Sequence, residues 1–308
     1  MSLGLDHIGV GVADPEAAIA FYATLGFDVV AFDYSGPLPG LDRVAGRPDV
    51  QARVVMLRSG NETPLGMASV KLVHVTDEPV PPMPEGMAWG ERGVCEVCVH
   101  VRGQAALYRR LVGEHGIAGI MEPNESPLPP HETRCGLSYV VDPDGTKVEL
   151  IEWLDLQQGW PGSDGPQGVN HVAFGVEDIE VTRSFYRRLG FTSHLFESDG
   201  HFAPMDPWYP YAPPRQKMML LTNPHGGGME PVQHFPPSPD KRGDFGHRGP
   251  MDFGIGVRNL DRAVDELSGQ GVEFLCAPHT IDVGSGRWGY AYFVDPDRNH
   301  VCLTEARY

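Results

Sequence analysis

Apolar and polar side chains alternate along residues 5–12, the pattern of a half-buried strand. Asp14 followed by Pro15 then supplies an N-cap with proline in the first helical turn. Ile19, Phe21, Tyr22 and Leu25 fall on one helix face, and Gly26 is placed to stop the helix as a C′ glycine. The apolar run Phe27–Phe32 predicts the next strand. The order strand, helix, strand returns over residues 169–191, where Asp178 takes the capping part. His171 follows His7, and Phe185 follows Phe21, by the same 164 positions, so the two copies match without a gap. A second repeat sets Tyr139–Glu149, with its Asp142-Pro143-Asp144-Gly145 turn, against Tyr292–Cys302.

Fainter copies of the unit lie between these. Val94–Val101 reads as a strand and Gln104–His115 as a helix. Gly136–Val141 and Lys147–Trp153 form a hairpin across the Asp142 turn. Further on, Met251–Val257 is a strand, Leu260–Gln270 a helix, and residues 289–294 and 299–305 the matching hairpin. Four units follow, at about 3–76, 93–155, 168–236 and 250–308, grouped as a domain over 1–156, a linker over 157–167 and a domain over 168–308.

Composition changes this picture little. At 308 residues, 41% apolar and 21% charged, the chain has material for two cores. A net charge of -17 argues against nucleic acid and against an anionic membrane surface. Apolar runs reach only about six residues where a bilayer span needs about 20. Residues 1–12 do not read as a signal peptide, so a cytoplasmic location is expected. Five cysteines are not a disulfide framework. Strand alternation over 94–101 predicts opposite faces for Cys95 and Cys98, which would keep them from sharing a metal. Gly9-Val10-Gly11 is not a dinucleotide fingerprint. Gly9, Gly11, Gly175, Gly254 and Gly256 are read instead as clearance beneath a concave sheet.

Taken together, the opening His-Ile/Val strand, the Phe-Tyr…Leu-Gly-Phe helix and the closing Asp-Pro-Asp segment resemble the vicinal oxygen chelate superfamily of glyoxalases, bleomycin resistance proteins and extradiol dioxygenases. The resemblance covers nearly the whole chain. It implies an α+β fold of four βαβββ modules, paired into two glyoxalase-like domains whose U-shaped mixed sheets enclose cavities. It also implies a divalent metal (zinc, nickel, manganese, cobalt or iron) held by residues on the first and last strands of each module.

Carried over position by position, the first domain would offer His7, Glu96 and Glu149, with Lys71 where a carboxylate is expected. The second would offer His171, Glu230 and Asp252, with Cys302 in place of Glu149. Each set is short by one donor, at most one cavity is expected to hold a metal, and the second is preferred. Neither set is the arrangement of two histidines and one carboxylate used by ferrous oxygenases. Lys71 pairing with Glu149 is the structural alternative to a metal. His74 and His100 are read as ordinary strand histidines, and the aromatic stretch His201–Tyr211 as either a pocket mouth or a cover for a sheet edge.

Three functions stay open on this reading. One is a metal-dependent lyase, isomerase or epimerase acting on a small oxygenated substrate through enediolate chemistry, with Glu149 or Glu230 as the catalytic proton carrier. A second is a ring-cleaving dioxygenase. A third is a non-catalytic protein that binds a small, antibiotic-like molecule. The partner in each case is a small molecule, and the chain is expected to act as a monomer or homodimer.

Overall fold

The computed structural model describes residues 2–129, 132–157 and 164–307. The first module runs through β1 (Ser2–Gly11), α1 (Pro15–Thr24), β2 (Val29–Pro37), a single turn α2 (Asp42–Ala45), β3 (Gln51–Arg58) and β4 (Ser69–Val75). The second contains β5 (Gly93–Arg102), α3 (Gln104–Gly113), β6 (Gly119–Leu128), β7 (Thr133–Val141) and β8 (Lys147–Trp153). The third contains β9 (Gly165–Val176), α4 (Ile179–Arg187), β10 (Ser193–Gly200), a 3₁₀ segment at Ala203–Trp208, β11 (Arg215–Thr222) and β12 (Gly228–Phe235). The fourth has β13 (Gly249–Val257), α5 (Leu260–Gly269), β14 (His279–Asp282), β15 (Arg287–Val294) and β16 (His300–Arg307). No helix among the described residues is long and apolar enough to cross a membrane.

The caps behave as the sequence predicts. Asp14 accepts from the amides of Glu16 and Ala17, Asp178 accepts from those of Glu180 and Val181, and Gly26 takes φ 80° after α1. The strand expected at Phe27–Phe32 begins later, at Val29, because the chain first turns off the helix at Gly26. The expected linker over 157–167 falls largely on residues 158–163, outside the described residues, and Gly165–Gln167 already belong to β9.

Module pairing differs from the expected grouping. One mixed sheet has the order β14-β15-β16-β13-β1-β4-β3-β2, joining the first module to the fourth. The other has the order β10-β11-β12-β9-β5-β8-β7-β6, joining the second to the third. β1 pairs antiparallel with β13, and β5 with β9. Chain-adjacent modules instead meet back to back. The outer faces of both sheets and the four main helices share one core, containing Ile8, Val97, Val172 and Ile255 and the stacked rings of Phe174 and Phe253, 5.2 Å apart. Each inner face has its own cluster.

This arrangement explains the repeated motifs. The tyrosine of each Phe-Tyr pair reaches the Asp-Pro-Asp turn of the next module: Tyr22 donates to Asp142 at 3.2 Å and Tyr186 to Asp295 at 2.9 Å. The repeats are therefore clamps between neighbouring modules. Burial raises both aspartates, to about 6. Tyr186→Phe removes one donor from a buried carboxyl and is expected to cost about 1.5–3 kcal/mol in urea unfolding. A change below about 0.5 kcal/mol would show that Asn299, which donates to the same carboxyl, suffices.

A register shift between Val94 and Glu96 corrects the reading of the two cysteines. The bulge puts consecutive side chains on one side, so Cys95 and Cys98 both join the inner cluster of the second sheet.

Candidate metal centre

Four strands at the middle of the second sheet, in the order β12-β9-β5-β8, set the site. Ala173 lies opposite both Glu230 and Glu96, and Cys98 opposite both His171 and Glu149. Strand alternation aims these side chains into the concave face. His171 Nε2 stands 3.0 Å from Glu230 Oε2, 3.4 Å from Glu149 Oε2 and 3.8 Å from Glu96 Oε1. All four residues are buried. The Cys98 thiol falls within the same small sphere as Glu149 and His171 and offers a thiophilic ion a further donor.

Neighbours hold the donors in place. His171 Nδ1 lies 2.7 Å from Asn170 Oδ1, which fixes Nδ1 as the protonated nitrogen and leaves Nε2 facing the carboxylates. Trp89 donates its indole N–H to Glu96 Oε2 at 3.1 Å. Among the described residues, Glu96 Oε1, Glu149 Oε2 and His171 Nε2 are buried without a hydrogen-bond partner. Orphaned acceptors converging on one point are costly unless a cation completes them.

The electrostatics agree. Burial, then the charges of Glu149 and Glu230, push Glu96 well above the carboxylate range. Burial raises Glu149 as well, against the pull of His171. Burial pulls His171 down, but the carboxylate of Glu230, 3.0 Å from Nε2, and the charge of Glu149 outweigh that and leave it raised. The space beside these groups is about 20 Å³, room for an ion with little else. Its walls include Phe202 and Met205 from the stretch His201–Tyr211, and Trp208 sits edge-on to Tyr139 at 4.2 Å. Of the two roles expected for that stretch, the pocket wall is the one observed.

The first sheet places its equivalents differently. His7, Lys71, Asp252 and Cys302 occupy the same strand positions on β1, β4, β13 and β16. Lys71 donates to Asp252 Oδ2 at 2.7 Å and to the hydroxyl of Tyr292 at 2.9 Å, and Tyr292 donates to the same oxygen at 2.7 Å. The expected partner of Lys71 was Glu149, which belongs to the other sheet. Lys71 lies over the rings of Tyr292 and Trp288, 5.5 and 5.8 Å from their centroids. Trp288, Tyr290 and Tyr292 fill the concave face. Gly9 and Gly254 are required here: a Cβ on Gly9 would meet Asp252 Oδ1 at 1.7 Å, and one on Gly254 would meet the His7 ring at 2.2 Å. Burial and then the charge of Lys71 hold His7 below its ordinary value. Burial raises Asp252, but Lys71 and His7 outweigh it and keep the carboxyl low.

The expected sets are therefore regrouped. His171 and Glu230 meet Glu96 and Glu149, not Asp252; His7 meets Lys71 and Asp252, not Glu96 or Glu149. The strand positions were readable from the repeats. The signal for the grouping was there too, since only the crosswise choice puts the lysine and the cysteine in one cavity and four donors in the other. His100 is buried, contacts Thr63 through Nδ1 at 3.2 Å and is lowered to about 4 by burial; His74 contacts the carbonyl of Val12.

Two eight-stranded curled sheets built crosswise from βαβββ modules, with inward donors on their central strands, define a tandem glyoxalase-like protein with one complete candidate metal centre. The sequence profile of the Glyoxalase/Bleomycin resistance protein/Dioxygenase superfamily matches residues 4–150 and 168–303, and the chain belongs to that superfamily. Its fold is similar to glyoxalase I from Zea mays, with a TM-score of 0.61 and 17% identity over 98% of this chain and 92% of that one. It is also similar to a putative dioxygenase from Bacillus subtilis subsp. subtilis str. 168, with a TM-score of 0.63 and 12% identity over 99% and 85% of the two chains. No curated protein matches the sequence.

Proposed function

We propose that the chain is a divalent-metal enzyme of the lyase or isomerase kind, with a single metal centre made by Glu96, Glu149, His171 and Glu230. The carrying observation is the convergence of four buried donors from two modules, three of them with an unpartnered atom facing the others. One imidazole and three carboxylates suit a hard or borderline ion such as manganese, nickel, cobalt or zinc. When bound, the metal supplies Lewis-acid polarisation of substrate oxygens.

The protein groups divide the remaining work. Glu96 is tied to Trp89 and does not line the space beside the donors, so it serves as a holding residue. Glu149 and Glu230 line that space and are the proton carriers, each close enough to His171 to be steadied by it. Phe202 and Met205 give that space an apolar wall on the side of the 3₁₀ segment. A ferrous ring-cleaving reaction is disfavoured because the donors are one histidine and three carboxylates.

Metal analysis of the purified full chain tests this reading. One divalent ion per chain is expected, removable by chelator; two per chain, or none after reconstitution, would overturn it. Glu149→Gln is expected to slow proton transfer in a substrate panel by about 10²–10⁴-fold while retaining the metal. Unchanged turnover would remove Glu149 from that role.

A further inference from the structure

Apart from the metal centre, a cleft of about 140 Å³ is lined by the second and fourth modules, by Arg43 of the first and by Met83, Met87, Lys241 and His247, with roughly ten times the space that a single water needs. In a chain of net charge -17, its walls carry Arg43, Lys147, Lys241, Arg242 and Arg298, and no carboxylate side chain. Two of these cations are neutralised from outside: Arg43 by Glu273 and Arg242 by Asp240. Among the described residues, the other three have no ion-pairing carboxylate. Lys147 Nζ donates to the carbonyl of Met87 at 2.9 Å and Lys241 Nζ to the carbonyl of Glu85 at 2.7 Å, contacts that orient an ammonium without cancelling its charge. Among the described residues, no carboxylate lies within ion-pairing distance of Arg298.

Three cations without an ion-pairing carboxylate around one recess focus positive potential there, although Lys147 also lies over the Trp208 ring, 5.6 Å from its centroid, and in the field of Glu96 and Glu91. The rest of the lining is mixed: Met83, Met87, Met251 and Leu275 are apolar, whereas His247, Asn299 and His300 are polar. The shape and charge match an anionic head attached to a short apolar body. We propose that this cleft binds a small organic anion, a phosphate or carboxylate on an apolar group, at a site separate from the metal centre. Separation follows from the lining, which includes none of Glu96, Glu149, His171 or Glu230. The cleft nonetheless adjoins that centre along the chain, because Lys147 precedes Glu149 on β8 and Cys95 precedes Glu96 on β5.

Calorimetric titration of the full chain with phenyl phosphate, inorganic phosphate and benzoate tests the site. Phenyl phosphate is expected to bind most tightly, and inorganic phosphate against benzoate reports whether a phosphate or a carboxylate head is preferred. The exposed-side double variant Lys241→Gln/Arg298→Gln is expected to weaken phenyl phosphate at least about tenfold, the scale of one lost charge-assisted contact. Arg109→Gln/Arg110→Gln makes the same charge change on α3, away from the cleft, and is expected to leave binding intact. Binding should also survive removal of metal by chelator. Absence of binding by all three probes, equal weakening by the α3 control, or loss of binding on chelation would each overturn the proposal.

Discussion

Lys71→Met is expected to destabilise the protein by about 3–5 kcal/mol, because it leaves the Asp252 carboxylate buried and without its cation. Lys71 and Asp252 are both essentially inaccessible to water, so no solvent is at hand to replace the lost ammonium. Tyr292 would remain as a donor, but one neutral hydroxyl does not balance a buried charge. Adding Asp252→Asn removes that charge and is expected to recover at least about half of the loss, since the two sites are directly coupled. Denaturant unfolding of the two single variants and the double checks this. A loss under about 1 kcal/mol for Lys71→Met, or no rescue by Asp252→Asn, would show that the pair is not what holds this concave face together.

His171→Ala is expected to abolish stoichiometric metal binding, whereas His7→Ala leaves the metal content unchanged. Loss of a residue that merely orients a ligand typically lowers metal affinity about 10–100-fold, so loss of the ligand itself exceeds that. Asn170→Ala, which frees the His171 ring without removing it, is expected to fall inside that range. The contrast arises from Lys71: a fixed ammonium in the first sheet repels a divalent ion from the very carboxylate that would have bound it. Metal analysis of the three variants decides the matter. Equal losses for His7→Ala and His171→Ala would place metal in both sheets and refute the single-centre reading.

The sequence made the fold legible because a duplicated chain carries its own alignment. The 164-residue offset identified His7 with His171, and the Asp-Pro-Asp turns located the closing strands. Every donor position named from those strands does lie on an inner face. What alternation and repetition do not encode is which module lies beside which. That choice is made by the antiparallel seams β1–β13 and β5–β9, backbone pairings between residues far apart in the chain. The cysteine pair failed for a more local reason: a bulge adds one residue to the period, and nothing in Val94–Val101 marks where it falls.

Crosswise pairing also orders events in time. The sheet bearing the candidate metal centre uses one unbroken stretch, from β5 to β12, so all of its strands have been synthesised once residue 235 is made. The other sheet begins with the first strand of the chain and is completed only by the last. During vectorial synthesis β1 therefore waits, its seam unpaired, until β13 emerges. Long-range closure of this kind is the slow part of folding. The half with the donors has all its strands first; the half with the lysine closes only once β16 is made.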